Sequence, residues 1–106
     1  MEKNLLLSII HASEDIDIFA VKIKKDLSIE KCKLYLTECL KSSNTIESLL
    51  IDNLELSDNK PILDEIISDI KSAYNSKSIS EIHSKMRNCI SSNSTIYANL
   101  IELYEK

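Results

Sequence analysis

The chain has 106 residues, no glycine, one proline, no tryptophan and a formal net charge of −4. An average domain holds about 7% glycine, and Walker-type phosphate loops, GxGxxG dinucleotide turns, nucleophile elbows and EF-hands all depend on it. Those chemistries are excluded, and the missing Asn-Gly and Gly-X hairpin turns argue against a mostly antiparallel sheet, leaving an all-α protein as the expectation.

With 43% hydrophobic and 28% charged residues, the chain reads as one globular domain spanning 1–106 rather than as a disordered segment. Its longest apolar run, Ile18-Phe19-Ala20-Val21, is far shorter than the ~20 residues that cross a bilayer. Leu5-Leu6-Leu7-Ser8-Ile9-Ile10 reads as helix core and not as a secretion signal. It carries Glu2 beside Lys3 and meets no small-residue cleavage site before His11 and Glu14.

Helical apolar spacing runs through almost the whole chain. In the first segment Leu5, Ile9, Ala12, Ile16, Phe19 and Ile23 form a stripe, which a cap at Ser13 before Glu14 and Asp15 would split into two helices. Ser28 caps a second stripe of Ile29, Cys32, Leu36, Cys39 and Leu40. Asn44 with Glu47 three residues later resembles a capping box that opens a further helix over Ile46, Leu49, Leu50 and Leu54. Ser57 to Lys60 is a break, and Pro61 fits the first turn of the next helix.

That next helix has the cleanest stripe, with Leu63, Ile66, Ile67, Ile70, Ala73 and Tyr74, and it ends at Asn75 to Lys77. Ser78 and Glu81 form a capping box ahead of Ile79, Ile82, Met86 and Ile90. Ser91 to Ser94 is a polar interruption before a last face of Ile96, Tyr97, Leu100, Ile101 and Tyr104. Asn44, Asn59, Asn75 and Asn93 lie at or near the breaks, where asparagine tolerates the left-handed conformation that glycine would otherwise supply. The expected fold is a compact bundle of five to seven short helices.

A shift of fifty residues lays the chain on itself with nine identities over positions 28 to 55, among them Ser28 on Ser78, Cys39 on Cys89 and Ile46 on Ile96. Two readings stand side by side. One is a duplicated three-helix unit, 3–56 and 61–105, sharing a single core; the other is coincidence in a chain rich in Ser, Ile and Leu.

No site chemistry emerges. The two histidines lack the paired short spacings of a zinc site, and no Glu-x-x-His pairs exist for a di-iron bundle, so neither metal nor cofactor is expected. Arg87, the only arginine, has no histidine after it, which leaves a HEPN-type nuclease unsupported. Cys32 and Cys39 lie ~10 Å apart along a helix axis, too far for a mutual bridge. An odd set of three cysteines on apolar stripes reads as buried, reduced thiols of a cytoplasmic protein. The basic cluster Lys22, Lys24, Lys25, Lys31 and Lys33 has the charge to touch a phosphate or an anionic membrane surface. Asp26 and Glu30 interrupt it and no arginine or aromatic lies among the lysines, so no nucleic-acid partner is expected.

Charge distribution is more informative. Residues 42–70 carry Glu47, Asp52, Glu55, Asp58, Asp64, Glu65 and Asp69 against Lys60 alone. Most of these fall off the apolar stripes, so they form either an ordinary solvated face or a docking surface that steers a basic partner. The functional expectation is a non-catalytic, protein-binding inhibitor, an immunity protein or antitoxin, monomeric when free. It would neutralise a basic toxin such as a nuclease through those seven acids, without nucleic-acid binding or stable membrane insertion. The alternative is a self-associating scaffold or secretion chaperone that uses an apolar surface around Leu5, Leu6, Ile10 and Tyr104.

Overall fold

The computed structural model describes residues 2–106. Four helices, α1 (Lys3–Lys25), α2 (Ile29–Ile51), α3 (Lys60–Tyr74) and α4 (Ile79–Glu105), run up-down-up-down, and a six-residue 3-10 turn, Leu54–Asn59, leads into α3. α1 packs against α2 and α4, and α3 packs against α4 and α2, so α1 and α3 lie diagonally across the core. The bundle measures 41 × 19 × 18 Å. That long axis matches the ~40 Å expected of a 27-residue helix at 1.5 Å per residue.

The expected five to seven short helices are therefore replaced by four, of 23, 23, 15 and 27 residues. Three anticipated breaks are helix interior. Ser13 is buried within α1, Asn44 lies within α2, and Ser91 to Ser94 lie within α4. Serine and asparagine favour caps because their side chains compete for backbone groups. Here several such side chains in and beside the anticipated breaks are satisfied without breaking a helix. Ser43 Oγ donates to the Cys39 carbonyl (2.9 Å) and Thr45 Oγ1 to that of Lys41 (3.1 Å). Ser94 Oγ donates to the Ser91 carbonyl (2.8 Å). Across the α1–α4 interface Ser13 Oγ donates to Asn93 Oδ1 (2.9 Å), and Asn93 Nδ2 donates to the Ser13 carbonyl (2.9 Å). Burial of the apolar stripes then outweighs weak local propensity, as is usual for helices in proteins.

The real helix ends are those where the stripe itself stops. Ser28 Oγ accepts from Lys31 N (3.3 Å) and Ser78 Oγ from Glu81 N (3.3 Å). The amide of Ser28 donates to Asp26 Oδ1 (2.8 Å), and that of Ser78 donates to Ser76 Oγ (3.1 Å). The reciprocal arm of the capping box is thus replaced by the residue two before each cap. Pro61 sits in the first turn of α3, where its missing amide costs nothing. No described residue has positive φ. Asn75, in particular, ends α3 at φ −87°, ψ −3°, so asparagine is not used here for the left-handed conformation.

The core is a continuous layer of Ile, Leu, Ala, Met and Cys down the bundle axis. Its register repeats at fifty residues. Cys32, Leu36, Cys39, Ser43, Ile46 and Leu50 of α2 are buried, as are Ile82, Met86, Cys89, Asn93, Ile96 and Leu100 of α4. Ser13, Ile16, Ala20 and Ile23 of α1 correspond in the same way to Leu63, Ile66, Ile70 and Ala73 of α3. Each half of the chain holds two helices, not three. The two hairpins put both tight turns at one end of the bundle, and the 52–59 connection lies at the other.

Candidate functional site

Of the seven acids expected to form one face, six divide into two groups and Glu47 lies apart on α2. Asp52, Glu55 and Asp58 are exposed around the α2–α3 connection, at the end of the bundle opposite the tight turns. Asp64, Glu65 and Asp69 lie on α3 and line an open groove of about 570 Å³ between α3 and α4, together with Ser68, Asn88, Ser91 and Ser92. Lys60, at the first position of α3, stands between the groups. Its Nζ pairs with Glu47 of α2 (3.3 Å) and with Asp64 one helical turn on. The hydrogen bond to Asp64 raises the Lys60 pKa, burial opposes the rise, and Glu47 adds to it. The Glu47 pair therefore links α2 to α3, while the Asp64 pair lies within α3.

Asp69 is half-buried, with Lys85 Nζ of α4 at 4.0 Å. Burial lifts its carboxyl above the ordinary carboxylate range, Lys85 works against that shift, and Glu65 reinforces it. Asp52, Asp58 and Glu65 make no ion pair among the described residues.

Two acids overlooked in the sequence complete the acidic end. Glu102 lines the cleft shared by Glu55, Asp58, Asn59 and Asn99, and exposed Glu105 follows one turn later. Asn99 Nδ2 donates to Asn59 Oδ1 (2.9 Å) and ties α4 to the connection. The fifty-residue alignment places Asp52 on Glu102 and Glu55 on Glu105, so that alignment held the signal. Residues 2–5, 47–60 and 99–106 together carry seven acids against three lysines.

No protein-family model matches the chain, and neither a curated protein nor a solved structure is significantly similar to it.

The remaining candidates are the cysteines and histidines. All three cysteines are buried. Burial, and then Glu38, pushes the Cys39 thiol up to about 12, while Cys32 and Cys89 are raised with burial again the largest cause. The thiolate is the nucleophile, so burial disfavours the reactive form of these thiols. His83 Nε2 lies 2.8 Å from the Asp26 carbonyl, a contact in which the ring N–H donates, and His11 is exposed on α1. Among the described residues no three His, Cys, Asp or Glu side chains converge on a metal-sized site. No buried side-chain nitrogen or oxygen there lacks a hydrogen-bond partner, and no helix is long and apolar enough to cross a membrane. Leu6 and Ile10, offered above as part of an apolar partner surface, are core residues.

Proposed function

We propose that this chain is a non-catalytic protein-binding inhibitor of the immunity-protein or antitoxin kind, acting in the cytoplasm on a basic partner such as a nuclease toxin. The observation that carries the reading is the segregation of charge, because the excess of acids at one end equals the formal net charge of the whole chain. From that end the acidic surface continues down the α3 flank through Asp64, Glu65 and Asp69, which gives a partner an extended area to cover. Such a field steers a basic partner during encounter. The acidic end then blocks the partner's active site sterically, with no turnover. Buried, reduced thiols suit a reducing compartment.

The test is a paired capture from the native host, using the chain and its Asp52→Lys/Asp58→Lys/Glu102→Lys variant as baits. None of these three positions is in the core or in an ion pair among the described residues. The expected result is a strongly basic protein retained by the first bait and lost from the second. Equal retention of the same proteins by both baits would remove the acidic end from the reading. The apolar-scaffold alternative would require a surface other than the one around Leu6 and Ile10.

A further inference from the structure

The end of the bundle opposite the acidic one is built as a basic tip with an apolar point. Residues 22–34 and 71–81 carry seven lysines against Asp26, Glu30 and Glu81, and the two tight turns bring these stretches together. His83 of α4 reaches the Asp26 carbonyl of the first turn, and Lys33 of α2 lies over the Tyr74 ring at the end of α3 (5.5 Å). The Asp26 carboxylate is occupied by the Ser28 amide (2.8 Å). At the apex, in the first turn, Leu27 is 81% exposed, and Leu34 a short way down α2 is 69% exposed. Lys24, Lys25 and Lys31, all exposed, flank them, and Lys77 is exposed in the neighbouring turn.

We infer that this tip docks on an anionic lipid surface, with Leu27 entering the headgroup region and the lysines pairing with lipid phosphates. Two features select that occupant. First, seven lysines against three acids give the tip a net positive charge that an anionic leaflet complements. Second, an apolar residue at the apex of a lysine cluster combines the two attractions that hold a peripheral protein to an anionic leaflet, whereas a phosphate ligand free in solution would leave Leu27 in water. Docked in this way, the bundle would stand on the membrane with its acidic end turned outward.

The absence of native tryptophan makes the test direct. Leu27→Trp places a single fluorophore at the tip, and Leu54→Trp, at a position 88% exposed beside the acidic end, serves as its control. Both variants are mixed with vesicles of phosphatidylglycerol and phosphatidylcholine, and with vesicles of phosphatidylcholine alone. The Leu27→Trp emission should shift to the blue on the anionic vesicles only and return in high salt, while Leu54→Trp stays unmoved. Each lysine near an anionic leaflet strengthens binding about fivefold, so adding Lys24→Glu and Lys25→Glu should weaken partition at least about twentyfold. An unmoved Leu27→Trp emission overturns the inference, as does an equal shift at both positions. A shift that grows with protein concentration without vesicles also overturns it, in favour of contact between copies of the chain. These outcomes leave the acidic-end reading untouched, because that end is altered only in the control.

Discussion

The two ends of the bundle close the same pair of hairpins in different ways. At the basic end, Ser28 and Ser78 repeat one set of local hydrogen bonds, each accepting from the amide three residues on. At the acidic end, Asn53 gives no side-chain cap to the 3-10 turn; its Nδ2 donates back to the Leu49 carbonyl (2.7 Å), and distant partners join such local bonds. Lys60 reaches Glu47, and Asn99 reaches Asn59. Both ends thus combine local bonds with longer ties, such as His83 to the Asp26 carbonyl at the basic end, and they differ in that the side-chain helix caps lie at the basic end. Binding surfaces are commonly carried on irregular segments positioned by a rigid scaffold, and the acidic charge sits on such a segment.

Core truncation at each end should give the largest effects. Ile23→Ala beneath the basic turn and Leu56→Ala beneath the 3-10 turn both remove fully buried side chains, and each should cost about 2–5 kcal/mol in chemical denaturation. Leu56→Ala should fall at the lower edge, because an irregular segment collapses more readily into a cavity than a capped helix does. A larger cost for Leu56→Ala would reverse the assignment of which end is more rigid.

Between the ends, the Ser13–Asn93 pair supplies the polar contact that joins the two hairpins. Asn93→Ala should cost about 1–3 kcal/mol by leaving the buried Ser13 groups short of partners. Adding Ser13→Ala should cost less than the sum of the single changes, since the two residues share one interaction.

Alkaline pH addresses the same middle layer. Cys39, raised to about 12, and Cys89, raised as well, stay protonated in the fold at pH values where unfolded thiols ionise. The unfolded state then binds fewer protons, so stability falls as pH rises above ~8.5, by up to about 1.4 kcal/mol per pH unit for each thiol. Cys39→Ala/Cys89→Ala should flatten the denaturation midpoint against pH over that range. A smaller effect is expected from Ser28→Ala and Ser78→Ala, at about 1 kcal/mol each, with nearly equal values if the two caps are equivalent.

Helix content, the apolar stripes and the ends at Ser28, Pro61 and Ser78 could all be read from the sequence, because period and capping residues agree at those places. The false breaks at Ser13, Asn44 and Ser91 to Ser94 had cap-like residues without an interruption of the stripe. Ser13 and Asn93 are satisfied by each other, eighty residues apart, which no local signal shows; Ser94 bonds back to the Ser91 carbonyl of its own helix, and Asn44 is exposed to solvent. The candidate site was legible as charge but not as shape. Glu102 and Glu105 join Asp52 and Asp58 only because α4 ends beside the 52–59 connection. Lys60, which seemed outnumbered in the sequence, proves to be a bridge that ties down two of the seven acids.

The most direct test of recognition through the acidic end is the association rate of the captured partner as a function of ionic strength. Two charge reversals should be compared, Asp52→Lys/Asp58→Lys/Glu102→Lys at one end and Lys24→Glu/Lys25→Glu at the other. The first should slow association and flatten its salt dependence, and the second should leave both as in the native chain. Unchanged kinetics in the first variant, or the larger loss in the second, would contradict recognition through the acidic end.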